Sequence, residues 1–300
     1  MPEQYQAEIR SFVEYLKFEK RYSIHTITSY ETDLLSFFSY VKDEYESPPL
    51  QQVNHSIIRS WLAALKDSKL SSRSINRKIS SIRSFFKYQL KAGSIQVMPT
   101  SNLVTPKTSK RLPVFVKESD TRVLMETLDT ATEDWKSLNA RMLITLFYAT
   151  GMRLSELINL REKHLDKARK QLKVLGKGNK ERIIPVSDKI VQDIETYSAL
   201  KRKTFENPDD CLLVTEKGRK LYPKYAWLIV NKCLGEASSL SKKSPHVMRH
   251  TFATHLMNNG AELNAVKELL GHASLAATQV YTHNSIEKLK DVYKKAHPKS

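Results

Sequence analysis

Apolar residues in the first hundred positions recur at helical spacing. Ile9, Phe12, Val13 and Leu16 share one face, and Tyr30, Leu34, Phe37, Phe38 and Val41 share another after Thr26, a candidate N-cap. The stretch "ESPPLQQV" breaks the pattern, and Ile58, Trp61, Leu62 and Leu65 start a third helix. A fourth runs through "SSRSINRKISSIRSFFKYQLKAG", with Ile75, Ile79, Ile82, Phe86 and Leu90 predicted to point inward and Gly93 to stop it. Four such helices predict a small bundle over residues 1–100.

"SNLVTPKTSKRLPVF", residues 101–115, has two prolines, small polar residues and three basic ones, and reads as an interdomain linker or an extended strap. Beyond it, a helix is expected near Lys117 to Leu128. In "LNARMLITLFYATGMRLSELINL" a buried helix turns at Gly151 and restarts through Leu154, Leu157 and Leu160. "KQLKVLGKGNKERIIPVS" differs: Leu172, Val174 and Ile183 flank the glycine-rich turn 176–179 and predict a β-hairpin. Helical periodicity returns from Lys189, stops around "ENPDD", resumes at Tyr225 and continues almost to the C-terminus. The expected fold is mainly α with a small β-hairpin or sheet, in a second domain over residues 116–300.

Composition adds a partner class. The 40% apolar and 27% charged fractions over 300 residues are those of a soluble globular chain. No apolar run reaches the roughly 18 residues of a membrane span, and "MPEQYQAEIRSF" has no apolar signal core, so neither a membrane-spanning segment nor export is expected. Cys211 and Cys233 form no disulfide framework and lack zinc-ligand spacing, which fits a reducing, cytoplasmic setting. The formal charge of +17 attracts polyanions: nucleic acid first, an acidic membrane or ribosomal surface second. The fourth helix carries Arg73, Arg77, Lys78, Arg83 and Lys87 with no acidic partner on the same helix, which favours a DNA-facing surface over a merely solvated one.

The candidate chemistry lies in the second half. Arg153 follows Gly151 at a helix junction, and Lys177 sits at the hairpin tip. His246 and Arg249 are one helical turn apart in "HVMRHTFATHL", His272 follows Gly271, and Tyr281 stands in "ATQVYTHNS". Each alone has a bland reading as a cap, a turn lysine or a packing residue. Together they are two arginines, a lysine, two histidines and a tyrosine without paired carboxylates. That excludes glycosidase and two-metal chemistry, and no cysteine or carboxylate set joins His246, His250, His255 and His272 to make a zinc site. The set suits phosphate: arginines grip its oxygens while lysine and histidine move protons.

The stretches "ATGMRLSELINL", "GKGNKERIIPV", "HVMRHTFATHLMNNGAELNAVKELLGHASLAATQVYTH" and the N-terminal "TITSYETDLLSFFSYV" resemble the tyrosine recombinase (site-specific integrase) family, and most of all its Xer-type members, over essentially the whole chain. The resemblance implies an N-terminal SAM-like core-binding domain and a mixed α/β catalytic domain that together clamp DNA in a C shape. It makes Tyr281 the nucleophile, with Arg153, Lys177, His246, Arg249 and His272 completing the site and Glu156 supporting it. It also implies double-stranded DNA as substrate, a 3′-phosphotyrosyl intermediate, and neither metal nor cofactor. Further expectations are a cyclic tetramer with itself or a paired recombinase, a contact to a DNA translocase, and a nucleoid-associated role at a dif-like site. An integrase of a mobile element shares all six active-site positions, a binding protein without catalysis would show decay among them, and a topoisomerase forming a 3′-phosphotyrosine uses a similar set. In the tail, Ile286, Leu289 and Val292 form an apolar stripe that would dock on a neighbour or, alternatively, fold back on its own domain.

Overall fold

The computed structural model describes residues 3–108, 114–130, 134–176, 181–237 and 243–271, together with 292, 293, 295 and 296. It divides into two compact units, Met1–Arg111 and Leu112–Ser300, a boundary that falls inside the proline-containing stretch.

The first unit contains α1 (Gln6–Glu14), prolonged by a π-helical turn over Tyr15–Glu19, then α2 (Ile24–Tyr45), α3 (His55–Asp67) and α4 (Ser72–Lys91). Three of these helices begin at a side chain that accepts a first-turn amide: Ser23, Asn54 and Ser71. The cap of α2 is therefore Ser23, whose Oγ accepts from the Thr26 amide; Thr26 lies inside the helix. Aromatic side chains fill the bundle, with Phe12, Phe37, Phe38, Phe85, Phe86 and Trp61 all buried. On α4 the buried stripe steps from Phe85 and Phe86 to Gln89 rather than to Leu90, which is exposed. Gln89 belongs inside because its Nε2 donates to the Glu8 carbonyl of α1 at 3.3 Å.

The acidic partner missing from α4 comes from α2. Asp33 is fully buried and accepts from Arg77, from Lys78 Nζ at 3.1 Å and from Ser81 Oγ at 2.8 Å. Arg77 also donates to Ser29, Lys78 stands over the Trp61 ring, and Arg83 donates to the Leu103 carbonyl. Three of these basic residues, Arg77, Lys78 and Arg83, thus hold the bundle together. Arg73 and Lys87 stay exposed.

In the second unit, α5 (Glu118–Asp129) and α6 (Trp135–Thr150) precede the short α7 (Leu154–Ile158). A three-stranded antiparallel sheet follows, made of β1 (Leu165–Asp166), β2 (Gln171–Leu175) and β3 (Glu181–Pro185) in that spatial order. The hairpin β2–β3 pairs Leu172 with Ile184 and Val174 with Arg182. Alternation along β3 buries Arg182 and Ile184 and leaves Ile183 only half-buried. Strand β1 is too short to leave a period-two signal. The helices α8 (Asp188–Thr204), α9 (Pro223–Ala237), α10 (Pro245–Asn258) and α11 (Leu263–Leu270) complete the unit.

The second half of helix α6, Met142 to Thr150, is buried on all sides and lies in the main core with α5, α8, α9 and the sheet. A smaller cluster joins Phe252 and Leu256 of α10 to Leu269 and Leu270 of α11, and Tyr293 and Ala296 of the tail pack into it. Val292 lies against the same cluster, and Asn259 Nδ2 donates to the Ala296 carbonyl at 3.0 Å. For this end of the tail the fold-back alternative holds within the single chain; Ile286 and Leu289 lie outside the described residues. No helix among the described residues is long and apolar enough to cross a membrane.

Removing the Asp33 carboxylate leaves two cations and a hydroxyl without their common acceptor, although Arg77 can turn towards water. Asp33→Ala is expected to destabilise the bundle by about 2 kcal/mol. Amide exchange in α2 and α4 should then quicken by about 30-fold, with α8 and α9 unchanged. Unchanged exchange in α4 would show that Asp33 does not hold it.

Candidate active site

Gly151 sets the geometry. Helix α6 ends there in the left-handed conformation, φ +57°, and a Cβ on this residue would sit 2.4 Å from the Phe252 ring of α10. Only glycine allows both the turn and the close crossing of α6 by α10. The chain then reverses through Met152 and enters α7 with Arg153 as its N-cap.

Glu156, in the first turn of α7, accepts from the Arg153 backbone amide at 2.7 Å through Oε2 and from the Arg153 guanidinium at 2.8 Å through Oε1. From β3, Arg182 reaches the same carboxylate with two parallel bonds of 2.9 and 2.8 Å. Both Glu156 and Arg182 are almost fully buried, whereas the Arg153 side chain is 33% exposed. From α10, Arg249 donates to the Gly151 carbonyl at 2.7 Å and to the Leu270 carbonyl at 2.6 Å.

The three arginines converge on one more feature. Arg182 Nε takes the Leu269 carbonyl at 3.0 Å, Arg249 takes that of Leu270, and Arg153 takes that of Gly271 at 3.2 Å. These are successive carbonyls at the C-terminus of α11, where a helix leaves its acceptors unpaired and carries partial negative charge. Three guanidinium groups thus complement one helix end and one carboxylate. With a single acid among them, the cluster keeps a surplus of two positive charges, at a place where Arg153 opens to solvent.

The ionisation of these groups follows from the packing. Burial alone would raise the Glu156 carboxyl. The Arg182 hydrogen bonds and charge, joined by the Arg153 amide and guanidinium, outweigh it and hold the carboxyl below its usual range. Burial, with Arg153 close by, pushes Arg249 down to about 10, still well above neutrality. Arg249 therefore keeps its charge at pH 7.

His246 and Arg249 lie on the same helix, with His246 exposed in its first turn. Glu156, Arg153 and Arg249 are brought together. Lys177, His272 and Tyr281 lie outside the described residues; in sequence His272 directly follows the Gly271 at the clamped helix end. His255, weighed above as a ligand, is buried between the Tyr148 hydroxyl, 3.0 Å from Nδ1, and the Val116 carbonyl, 2.9 Å from Nε2. Burial pushes its pKa down, so it is a neutral packing histidine. Among the described residues, Asp209, Asp210 and Cys211 alone gather metal-ligand atoms. Those atoms are committed elsewhere: Asp209 Oδ1 accepts the Cys211 amide, Asp210 pairs with Arg161, and burial with Asp209 alongside pushes the thiol up to about 11.

Arg182 escaped the reading of the sequence. The signal for it was a charged residue at an inward position of "ERIIPV", two residues before Ile184, where an unpaired charge is rarely tolerated.

Residues 115–288 match the phage integrase family, and residues 9–93 match the phage integrase N-terminal SAM-like domain. The chain belongs to the phage integrase family of tyrosine recombinases. Tyrosine recombinase XerC of Anoxybacillus flavithermus is 40% identical over 296 residues, covering 96% of this chain and 97% of its own. Tyrosine recombinase XerC of Staphylococcus aureus is 36% identical over 290 residues, covering 97% and 96%. Among solved structures, the XerH site-specific recombinase bound to a palindromic difH substrate in a post-cleavage complex matches with a TM-score of 0.72 at 23% identity, over 94% of this chain and 83% of that one. The Tn1549 transposon integrase in complex with transposon right end DNA matches with 0.70 at 18%, over 95% and 98%. At these identities the two structures establish the fold of this recombinase family member: a helical N-terminal domain and a mixed catalytic domain.

The Glu156 shift has a defined sign. The folded carboxyl binds its proton below the ordinary value of 4.5, so the unfolded chain protonates first as pH falls. The stabilisation is full above that value and is lost as pH falls through the folded one. Glu156→Gln should therefore lower the unfolding midpoint at pH 7, and the gap to wild type should narrow below about pH 4.5. A gap independent of pH would show that the carboxylate charge contributes nothing.

Proposed function

We propose that this chain is a site-specific tyrosine recombinase of the Xer kind, which cuts and rejoins duplex DNA and resolves chromosome dimers at a dif-like site. The observation that carries the reading is the surplus of positive charge around Glu156, built from Arg153 and Arg249 in the family's order and opening to solvent at Arg153. The near full-length likeness to proteins named tyrosine recombinase XerC supports the housekeeping role over that of a mobile element.

In this mechanism the Tyr281 phenolate oxygen attacks the scissile phosphorus. A 3′-phosphotyrosyl bond forms, and the bond to the 5′-oxygen breaks. A phenol with a pKa of about 10 needs a base, and His246, exposed on the first turn of α10, takes its proton. Arg153 and Arg249 bracket the extra negative charge of the five-coordinate transition state, and His272 adds a hydrogen bond to a nonbridging oxygen. Lys177 protonates the departing 5′-oxygen. The 5′-hydroxyl of the partner strand then reverses the step, and because one phosphoester replaces another of similar energy, the exchange balances without ATP.

Four protomers, this one with itself or with a paired recombinase, act on two duplex sites in a cyclic assembly, with a DNA translocase as a further partner and the nucleoid as its place of work. Arg73 and Lys87, free on α4, face the DNA backbone, whereas Arg77, Lys78 and Arg83 chiefly shape the helix that carries them.

A nicked suicide duplex carrying a dif-like site tests the reading. Wild type is expected to form a denaturation-resistant protein–DNA adduct, and Tyr281→Phe none, a loss of at least about a thousandfold. An adduct with both proteins would move the nucleophile elsewhere.

A further inference from the structure

Arg182 has no place in the mechanism above, yet it is the most deeply buried arginine of the cluster. We propose that Arg182 is a positioning residue for strand cleavage: it fixes Glu156 and the end of α11, and thereby holds the Arg153 guanidinium at the scissile phosphate. The inference rests on the recombinase reading.

Its side chain is 4% exposed, so it is not a group that grips DNA itself. It makes three bonds, two to Glu156 and one to the Leu269 carbonyl, and both partners lead to Arg153. Glu156 Oε1 is shared between Arg182 and Arg153. The helix end that Arg182 secures at Leu269 supplies the Gly271 carbonyl that Arg153 holds two residues later. A Cβ on Gly271 would come within 2.9 Å of Arg182 Cδ, so the arginine stem lies directly against that turn.

Charge points the same way. Arg153 and Glu156 alone form a neutral pair, and a carboxylate held by one arginine cancels the charge needed at the phosphate. A second guanidinium on the same carboxylate restores a net positive charge while the bidentate grip fixes the carboxylate plane. Packing alone asks for no arginine here. Its cross-strand partner Val174 and its same-face neighbour Ile184 are apolar, and an apolar residue in place of a buried ion pair is often at least as stable.

The test compares wild type, Arg182→Lys, Arg153→Lys and the double variant on two nicked suicide duplexes. One carries the ordinary scissile phosphate and the other an uncharged methylphosphonate at that position. Arg182→Lys should bind DNA as wild type does and form adduct about 10- to 100-fold more slowly, the scale of a misplaced reacting group. Because Arg182 works through Arg153, the double variant should be no slower than Arg153→Lys within about threefold. On the methylphosphonate, which carries one negative charge fewer both at rest and in the five-coordinate transition state, Arg153 has less charge to neutralise and the Arg182→Lys deficit should shrink. An unchanged rate, multiplying losses in the double variant, or a deficit equal on both duplexes overturns the proposal. Should lysine lower the melting temperature markedly, Arg182→Met with Glu156→Gln removes both buried charges together. Slow cleavage by that folded variant supports the proposal, and wild-type cleavage overturns it. Absence of adduct from wild type itself overturns the recombinase reading instead.

Discussion

One buried carboxylate organises the catalytic domain. Glu156 accepts from the amide and the guanidinium of Arg153, the cap of its own helix, and from Arg182 on the sheet, and so joins α7, β3 and, through the arginines, the end of α11. A charge of that kind is tolerable inside a protein only when its lone pairs are filled, and here they are filled by cations. The same bonds that make the acid tolerable hold the guanidinium groups in place. Stability and the placement of the guanidinium groups are thus one set of contacts.

The first unit uses a similar device for a different end. Asp33 is enclosed by α4, and the cations around it give that helix a fixed rotation against α2. Basic residues along a helix are commonly taken as a surface for polyanions. On α4 the pattern mixes two purposes that composition cannot separate, since Arg77 and Lys78 look as free in the sequence as Arg73 and Lys87. What separates them is an aspartate over forty positions away in sequence.

Much of the fold was legible because helical periodicity is strong where one face is buried: the first four helices, the break at Gly151 and the hairpin all left a pattern. The family motifs pointed to Arg153 and Arg249, which the described structure brings together around Glu156. What stayed hidden depends on contacts between distant segments. The inward face of β3 had no clear pattern because Ile183 and Ile184 are both apolar, and Arg182 was passed over because a lone arginine carries no periodic signal. Leu90 was assigned inward on hydrophobicity, whereas its neighbour Gln89 is buried through a bond to α1 that no local pattern encodes. Thr26 and Ser23 are both good capping residues, and only the extended backbone at Ser23, whose hydroxyl accepts the Thr26 amide, decides between them.

The arginines also have a valency. Each guanidinium presents five N–H groups in a fixed plane. Among the described residues, Arg153 directs one to Glu156 and one to Gly271, and Arg249 one to Gly151 and one to Leu270, which leaves three on each. In the proposed site, a phosphate between them would meet the remaining N–H groups of guanidinium planes that the protein already holds in place. A lysine at either position carries its three N–H groups on a single atom. It would have to choose between gripping the protein frame and meeting the phosphate.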